Sequence, residues 1–272
     1  MRTTIFLIVI ALMLQLSSCE ETGEKGSLVV TGVSAVSEAA PLAISPMKIQ
    51  TNSTVNVMHP SDIKFFVTEF WVAKELVDKG VTDDFKWYKI GESNALKSVS
   101  EYYFETDDLP EGTYQSIKLV FKNIVQREAI YQNNSSQLVV MQSSLDETTC
   151  PDDKIITNYF SKKGNFVVQQ GVFQLASSGE TIRGFKVKAG ETTTIKWMLG
   201  APGAQLTDCS FEWVDANSNG QWDCGIDSIQ NTQCKVNMPM FTFQVDDGEE
   251  EPVEEDFVLT PNAVTDLDGF TY

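Results

Sequence analysis

Histidine is all but missing from this chain: His59 is the only one in 272 residues. There is no G-x-S-x-G elbow and no H-E-x-x-H helix motif. A serine-hydrolase triad or a His-ligated zinc peptidase therefore lacks its parts. No two cysteines stand at C-x₂-C spacing, which argues against a compact four-cysteine zinc site. Basic residues are scarce as well, with 20 Lys and Arg against 38 Asp and Glu and a formal charge of −18. Such a balance disfavours nucleic acid, whose phosphates need a track of Lys and Arg. Helical periodicity with proper caps appears nowhere at length. Glycosidases require only two carboxylates, and the 38 acids supply many, but no pair is marked by its spacing. The chain reads as non-enzymatic, with a carboxylate-dependent glycoside hydrolase as the lesser alternative.

The one long apolar run lies at the start, from Ile5 to Leu16 after Arg2. A basic residue, a short apolar core and small residues before a cut make a secretory signal over 1–18 rather than a spanning helix. The run ends on Leu16-Ser17-Ser18-Cys19, which resembles the lipobox of bacterial lipoproteins. That resemblance implies lipid attachment at Cys19, palmitate included, and a stable membrane anchor, since several acyl chains bury far more methylenes than one. The residues that follow, Glu20-Glu21-Thr22-Gly23-Glu24, resemble the acidic export signals of Bacteroidota surface lipoproteins. They imply an outer-membrane protein facing the cell exterior, with 19–26 as its acidic tether.

Hydrophobic residues make up 42% of the chain, enough for a substantial core. Period-two alternation predicts strands at Leu28–Val33, Met47–Asn52, Ile63–Ala73, Phe85–Ile90 and Tyr102–Thr106. The segment Ile63–Ala73 is apolar on both faces and reads as a central, covered strand. Asp107–Gly112 reads as a turn. After it, Ile117, Leu119 and Phe121 define an inward face, with Lys118 and Lys122 opposite. Glu128–Lys163 looks less regular, and strands resume at Phe166–Val168 and Val172–Leu175. Phe185–Leu199, turning at Ala189-Gly190-Glu191, reads as a hairpin. Together these predict an all-β antiparallel sandwich over 27–245, with a sub-module from about 150 to 245 as an option. Leu109–Tyr114 and Val187–Thr193 are similar to phrases in uncharacterised β-sandwich surface lipoproteins, which implies a fold and no activity. Eight acids crowd Asp246–Asp256, so 246–272 is expected to be a solvated linker and tail.

With Cys19 given to lipid, Cys150, Cys209, Cys224 and Cys234 remain. Four cysteines in an exported chain predict two disulfides, and three pairings are open. Three of the four bracket Asp215-Ala216-Asn217-Ser218-Asn219-Gly220-Gln221-Trp222-Asp223. This stretch resembles the calcium loops of EF-hands and dockerins, with oxygen side chains at Asp215, Asn217, Asn219 and Asp223 and a backbone carbonyl at Gln221. Alternate side chains can converge on one cation while Gly220 allows the sharp turn. The twelfth place holds Ile226 where a bidentate acid belongs, and Asp227 follows one residue late. A weak site, with Kd of about 10⁻⁴–10⁻³ M, is expected from such a set. Asp227-Ser228-Ile229 also resembles the Bacteroidota O-glycosylation motif, a use that would compete with Asp227 as a ligand.

Five tryptophans raise the prospect of sugar stacking. Trp71 and Trp197 lie in apolar strands and are expected in the core. Trp87 with Tyr88, and Trp222 in the loop, are the candidates for an exposed platform. The sequence thus predicts a cell-surface, lipid-anchored, calcium-stabilised binding or accessory protein that works within an outer-membrane complex or on a glycan. A glycan-binding lipoprotein of a nutrient-uptake system is the alternative.

Overall fold

The computed structural model describes residues 23–33, 55–77, 84–131, 138–145, 150–162, 164–169, 172–177, 182–200, 209–234 and 241–248. The signal segment, Cys19, the expected strand Met47–Asn52 and the tail from 249 lie outside the described residues. Among the described residues the strands are β1 Lys25–Val33, β2 Val55–Ala73, β3 Trp87–Glu92, β4 Lys97–Ser98, β5 Tyr103–Pro110, β6 Gly112–Tyr114, β7 Ser116–Tyr131 and β8 Leu138–Ser143. They continue as β9 Asp152–Ser161, β10 Gly164–Gln169, β11 Val172–Ser177, β12 Phe185–Val187, β13 Thr192–Leu199, β14 Cys209–Val214, β15 Ser228–Cys234 and β16 Phe241–Asp246. Among the described residues the helical content is a single 3₁₀ turn, Val99–Glu101. The chain is an all-β sandwich, as its alternation predicts.

A ten-stranded sheet in the order β11-β10-β9-β7-β2-β14-β15, with β3 and β4 on β2 and β8 on β7, faces a four-stranded sheet in the order β16-β13-β1-β5. The spine is the antiparallel pair β2 and β7, of 19 and 16 residues. Pairing is antiparallel throughout the named strands except between β1 and β13, which run parallel. Strands after 150 enter both sheets beside strands from the first half, so 150–245 shares its core with the rest.

The core forms where the inward faces meet. Leu28 and Val30 of β1, Phe65, Val67, Phe70 and Val72 of β2, and Ile117, Leu119 and Phe121 of β7 are all buried there. Trp197 lies at its centre, fully buried, with ring centroids 5.2 Å from Phe241 and 5.3 Å from Tyr102. Aromatic pairs at these distances add to the stability their buried area supplies. The Tyr102 hydroxyl donates to Phe65 O (2.6 Å) and accepts from Val67 N–H (3.0 Å), bridging the bulge where β2 slips against β7. Burial pushes its phenol up to about 12. Gly32 is where the four-stranded sheet comes closest to the 3₁₀ turn. A Cβ there would fall 1.6 Å from Val99 O, so this contact admits glycine alone.

Several sequence expectations are corrected. Phe185–Leu199 is not a hairpin: β12 pairs with β6, whereas β13 pairs with β1 and β16. Asp107–Pro110 is not a turn but the end of β5, where Leu109 pairs with Gly26 and Pro110 with Lys25. Pro110 lies on β5, the edge strand of the four-stranded sheet, where proline is tolerated. The region after Glu128 is regular, supplying the end of β7 as well as β8 and β9. His59, the single histidine, pairs with Ile130 inside β2. Asp247, expected in the solvated segment from 246, is instead buried and accepts from Arg183 Nη2 and Lys186 N (both 3.2 Å).

Candidate functional site

Two regions carry chemistry: the loop between β14 and β15, and the outer face of the ten-stranded sheet. The loop spans Asp215 to Asp227 and starts where β14 buries Trp213 completely. Trp213 lies in a small second core with Ala129, Val139 and Met141, and the Trp222 ring closes over it. Trp222 Nε1 donates to Gln142 O on β8 (2.9 Å). One ring contact and one hydrogen bond thus fasten the loop to the sheet through Trp222. A disulfide between Cys150 and Cys224 ties the same loop to the segment leading into β9.

Inside the loop the acids turn inward. Asp215 is buried and accepts from Gly220 N (2.8 Å) and Asn219 N (3.2 Å). Asp227 is buried too, accepting from Ala216 N (2.9 Å) and Asp223 N (2.8 Å). The turn needs left-handed backbone at Ser218 (φ 58°) and Gly220 (φ 75°). Glycine adopts that conformation without cost, whereas serine pays a little for it. Asn217 Nδ2 and Asn219 Nδ2 both approach Asp223 Oδ2 at 2.6 Å, so three expected ligands meet at one point. Each carboxamide presents oxygen or NH₂ on a 180° rotation, which lets this cluster offer several oxygens to a hard cation.

The fit is partial. The side-chain oxygens of Asn217 and Asn219 accept from Asn219 N (3.2 Å) and Gln221 N (2.8 Å), and both Asp227 oxygens hold backbone N–H groups. Among the described residues no group of three or more His, Cys, Asp or Glu stands in a metal-holding arrangement. Ile226 at the twelfth place points out, 59% exposed. Asp227, displaced by one residue, buttresses the turn. The side chains that meet are Asn217 and Asn219 on Asp223, while Asp215 turns to the Asn219 and Gly220 amides and Gln221 is exposed beside them.

Of the four cysteines other than Cys19, Cys150 and Cys224 are bonded, which selects one of the three pairings in principle. The other two, Cys209 and Cys234, are direct cross-strand partners at the open end of the β14–β15 pair.

The outer face of the large sheet was not legible as a site. Register places Tyr159 of β9, Lys118 of β7, Trp71 of β2 and Lys89 of β3 side by side in one row across four strands. The Lys118 ammonium stands 4.3 Å from the Trp71 ring centre and 4.7 Å from that of Trp87. Trp87 packs on Tyr159 with ring centroids 5.5 Å apart. Four residues along β7, Lys122 lies 4.2 Å over the Phe66 ring. Trp71, Trp87 and Tyr159 are each half-buried, so their outer edges meet solvent. Trp71, expected in the core, belongs to this face instead. Its neighbours Phe70 and Val72 take the inward positions, because successive strand residues point to opposite sides. The same alternation separates Trp87 from Tyr88, whose ring turns toward Tyr114 at 5.8 Å and packs against the main core.

Charge on this face is uneven. Glu69 accepts from Trp71 Nε1 (2.9 Å) and Lys89 Nζ (3.1 Å), and Lys89 also binds Glu92 (2.7 Å). The Trp71 and Lys89 hydrogen bonds outweigh burial and hold the Glu69 carboxyl below the usual range. Lys118 and Lys122 form no ion pair among the described residues. Desolvation holds the Lys118 ammonium below the ordinary lysine value, and Glu69 only partly opposes it.

No family model matches the chain, and no curated protein or solved structure matches it. The functional reading rests on the residues themselves.

Proposed function

We propose that this protein is a lipid-anchored component of the outer-membrane surface that works by binding rather than by catalysis. The observation that carries this reading is the Tyr159–Lys118–Trp71–Lys89 row. It spends three large aromatic rings, counting Trp87, on a half-exposed sheet face beside a fully formed core. Aromatic residues that pair an apolar body with a polar edge are suited to contacts that are partly wet. The alternative of a glycan-binding lipoprotein of a nutrient-uptake system gains from the same row, which offers sugar-sized stacking surfaces. Loop 215–227 serves the binding domain as a calcium-stabilised corner, with Asp215, Asn217, Asn219, Asp223 and the Gln221 carbonyl as ligands and Asp227 in support.

Anchorage rests on Leu16–Cys19 and the acidic residues after it. Cys19→Ala is expected to move the protein from the membrane to the soluble fraction and to abolish acyl labelling. Full membrane retention of that variant would contradict the anchored reading.

A further inference from the structure

We propose that the outer face of the ten-stranded sheet, centred on Lys118 between Trp71 and Trp87, binds an acidic polysaccharide. This deepens the binding reading above and rests on it. The chain carries 38 acids, yet among the described residues no carboxylate makes an ion pair with Lys118 or Lys122, and Glu69 acts on Lys118 only through space, while Lys89 in the same row has two carboxylate partners. A half-buried ammonium without an acceptor is costly, because burial removes water and supplies only ring faces in exchange. An incoming carboxylate or sulfate would complete both lysines with charge-assisted hydrogen bonds.

Shape then narrows the ligand class. Lys118 and Lys122 are four residues apart on one strand, a separation of about 13 Å. Trp71, Trp87 and Tyr159 surround the first, while Phe66 and the exposed Ile155 flank the second, with Ile155 directly opposite Lys122. A polymer of acidic sugars alternates apolar C–H faces, which stack on rings, with anionic groups set well apart. Single-stranded nucleic acid also stacks on aromatic side chains, but it requires a continuous basic groove along its backbone. Two unpaired lysines on a chain of net charge −18 do not make one. The sheet face suits an extended chain lying along β7, where it passes both lysines.

The test is isothermal titration of the full chain in detergent with polygalacturonate and heparin, neutral galactan and poly(dT) serving as comparisons. Polygalacturonate or heparin is expected to bind at least tenfold more tightly than galactan. Lys118→Met should weaken that binding at least tenfold with an unchanged melting temperature, and Lys122→Met should weaken it less. If Lys118→Met fails to fold, loss of affinity in Lys122→Met decides the matter. Equal binding of galactan, preference for poly(dT), wild-type affinity in both variants, or no binding to either polyanion would each overturn the inference. A chain that ignores both polyanions yet retains another surface partner through the same row would leave the binding reading standing without this ligand.

Discussion

Lys118 lies directly opposite Trp71 across the β2–β7 pair and holds its ammonium 4.3 Å from the indole centre, with Glu69 acting on it through space and no carboxylate in an ion pair with it among the described residues. Stability alone does not call for a charge at this place. Loss of the ring contacts costs about 1 kcal/mol, and relief of the buried charge offsets a similar amount. Lys118→Met is therefore expected to fold with a stability within about 1 kcal/mol of wild type by denaturant titration. A loss of several kcal/mol would make Lys118 a structural residue.

Calcium should stabilise the β14–β15 end of the sandwich. With Kd of about 10⁻⁴–10⁻³ M, 10 mM calcium is worth about 1–3 kcal/mol of unfolding free energy. Melting curves in calcium and in EDTA should separate accordingly, and Asp215→Ala should erase the difference. Superimposed curves for the wild-type protein would remove calcium from the account.

The cysteines should be fully paired. Cys150–Cys224 spans 74 residues, and the chain-entropy argument gives its closure about 4 kcal/mol. Since Cys209 faces Cys234 across an antiparallel pair, these two are expected to form the second disulfide. Denatured, unreduced mature protein should show no free thiol, and peptide mapping should return 150–224 and 209–234. Two thiols at 209 and 234 would contradict the second bridge.

Acid sensitivity should trace in part to Asp152. Hydrogen bonds from Lys154 Nζ and Asn123 Nδ2 lower its carboxyl to about 2. A carboxyl depressed in the folded state stabilises fully above its unfolded value, about 3.9, and loses that contribution as pH falls toward its folded value. The stability gap between wild type and Asp152→Asn should be constant above about pH 5 and shrink between about pH 4 and pH 2. A gap that stays flat down to pH 2 would contradict this assignment.

The strands were legible wherever one face was apolar and the other charged. Ile117, Leu119 and Phe121 against Lys118 and Lys122 is the clearest case, and all three apolar residues are buried. Alternation tells which side chains face inward, but not which strand lies alongside. For that reason Phe185–Val187 and Thr192–Leu199 read as partners, although Val187 pairs with Gly112 and Ile195 with Val30. Local turn chemistry misled in the same way at Asp107–Pro110, where pairing with the start of β1 overrides it. The loop's oxygen-bearing residues stood out because their spacing is itself the signal. The lysine–aromatic row was not, since its members come from β9, β7, β2 and β3 and meet only through register. Trp71 carried a clue in the alternation with Phe70 and Val72, but a strand apolar on both faces conceals which side is wet.

The most direct test of the account is a mild-detergent pull-down of the tagged, lipidated protein from its own outer membrane, beside the Trp71→Ala and Lys118→Met variants. Eluates would be assayed for both protein and carbohydrate. The account predicts a stoichiometric partner or bound glycan with wild type that both variants lose while remaining folded. Recovery of the wild-type protein alone, or of the same partner with all three, would contradict the claim that this sheet face is the working surface.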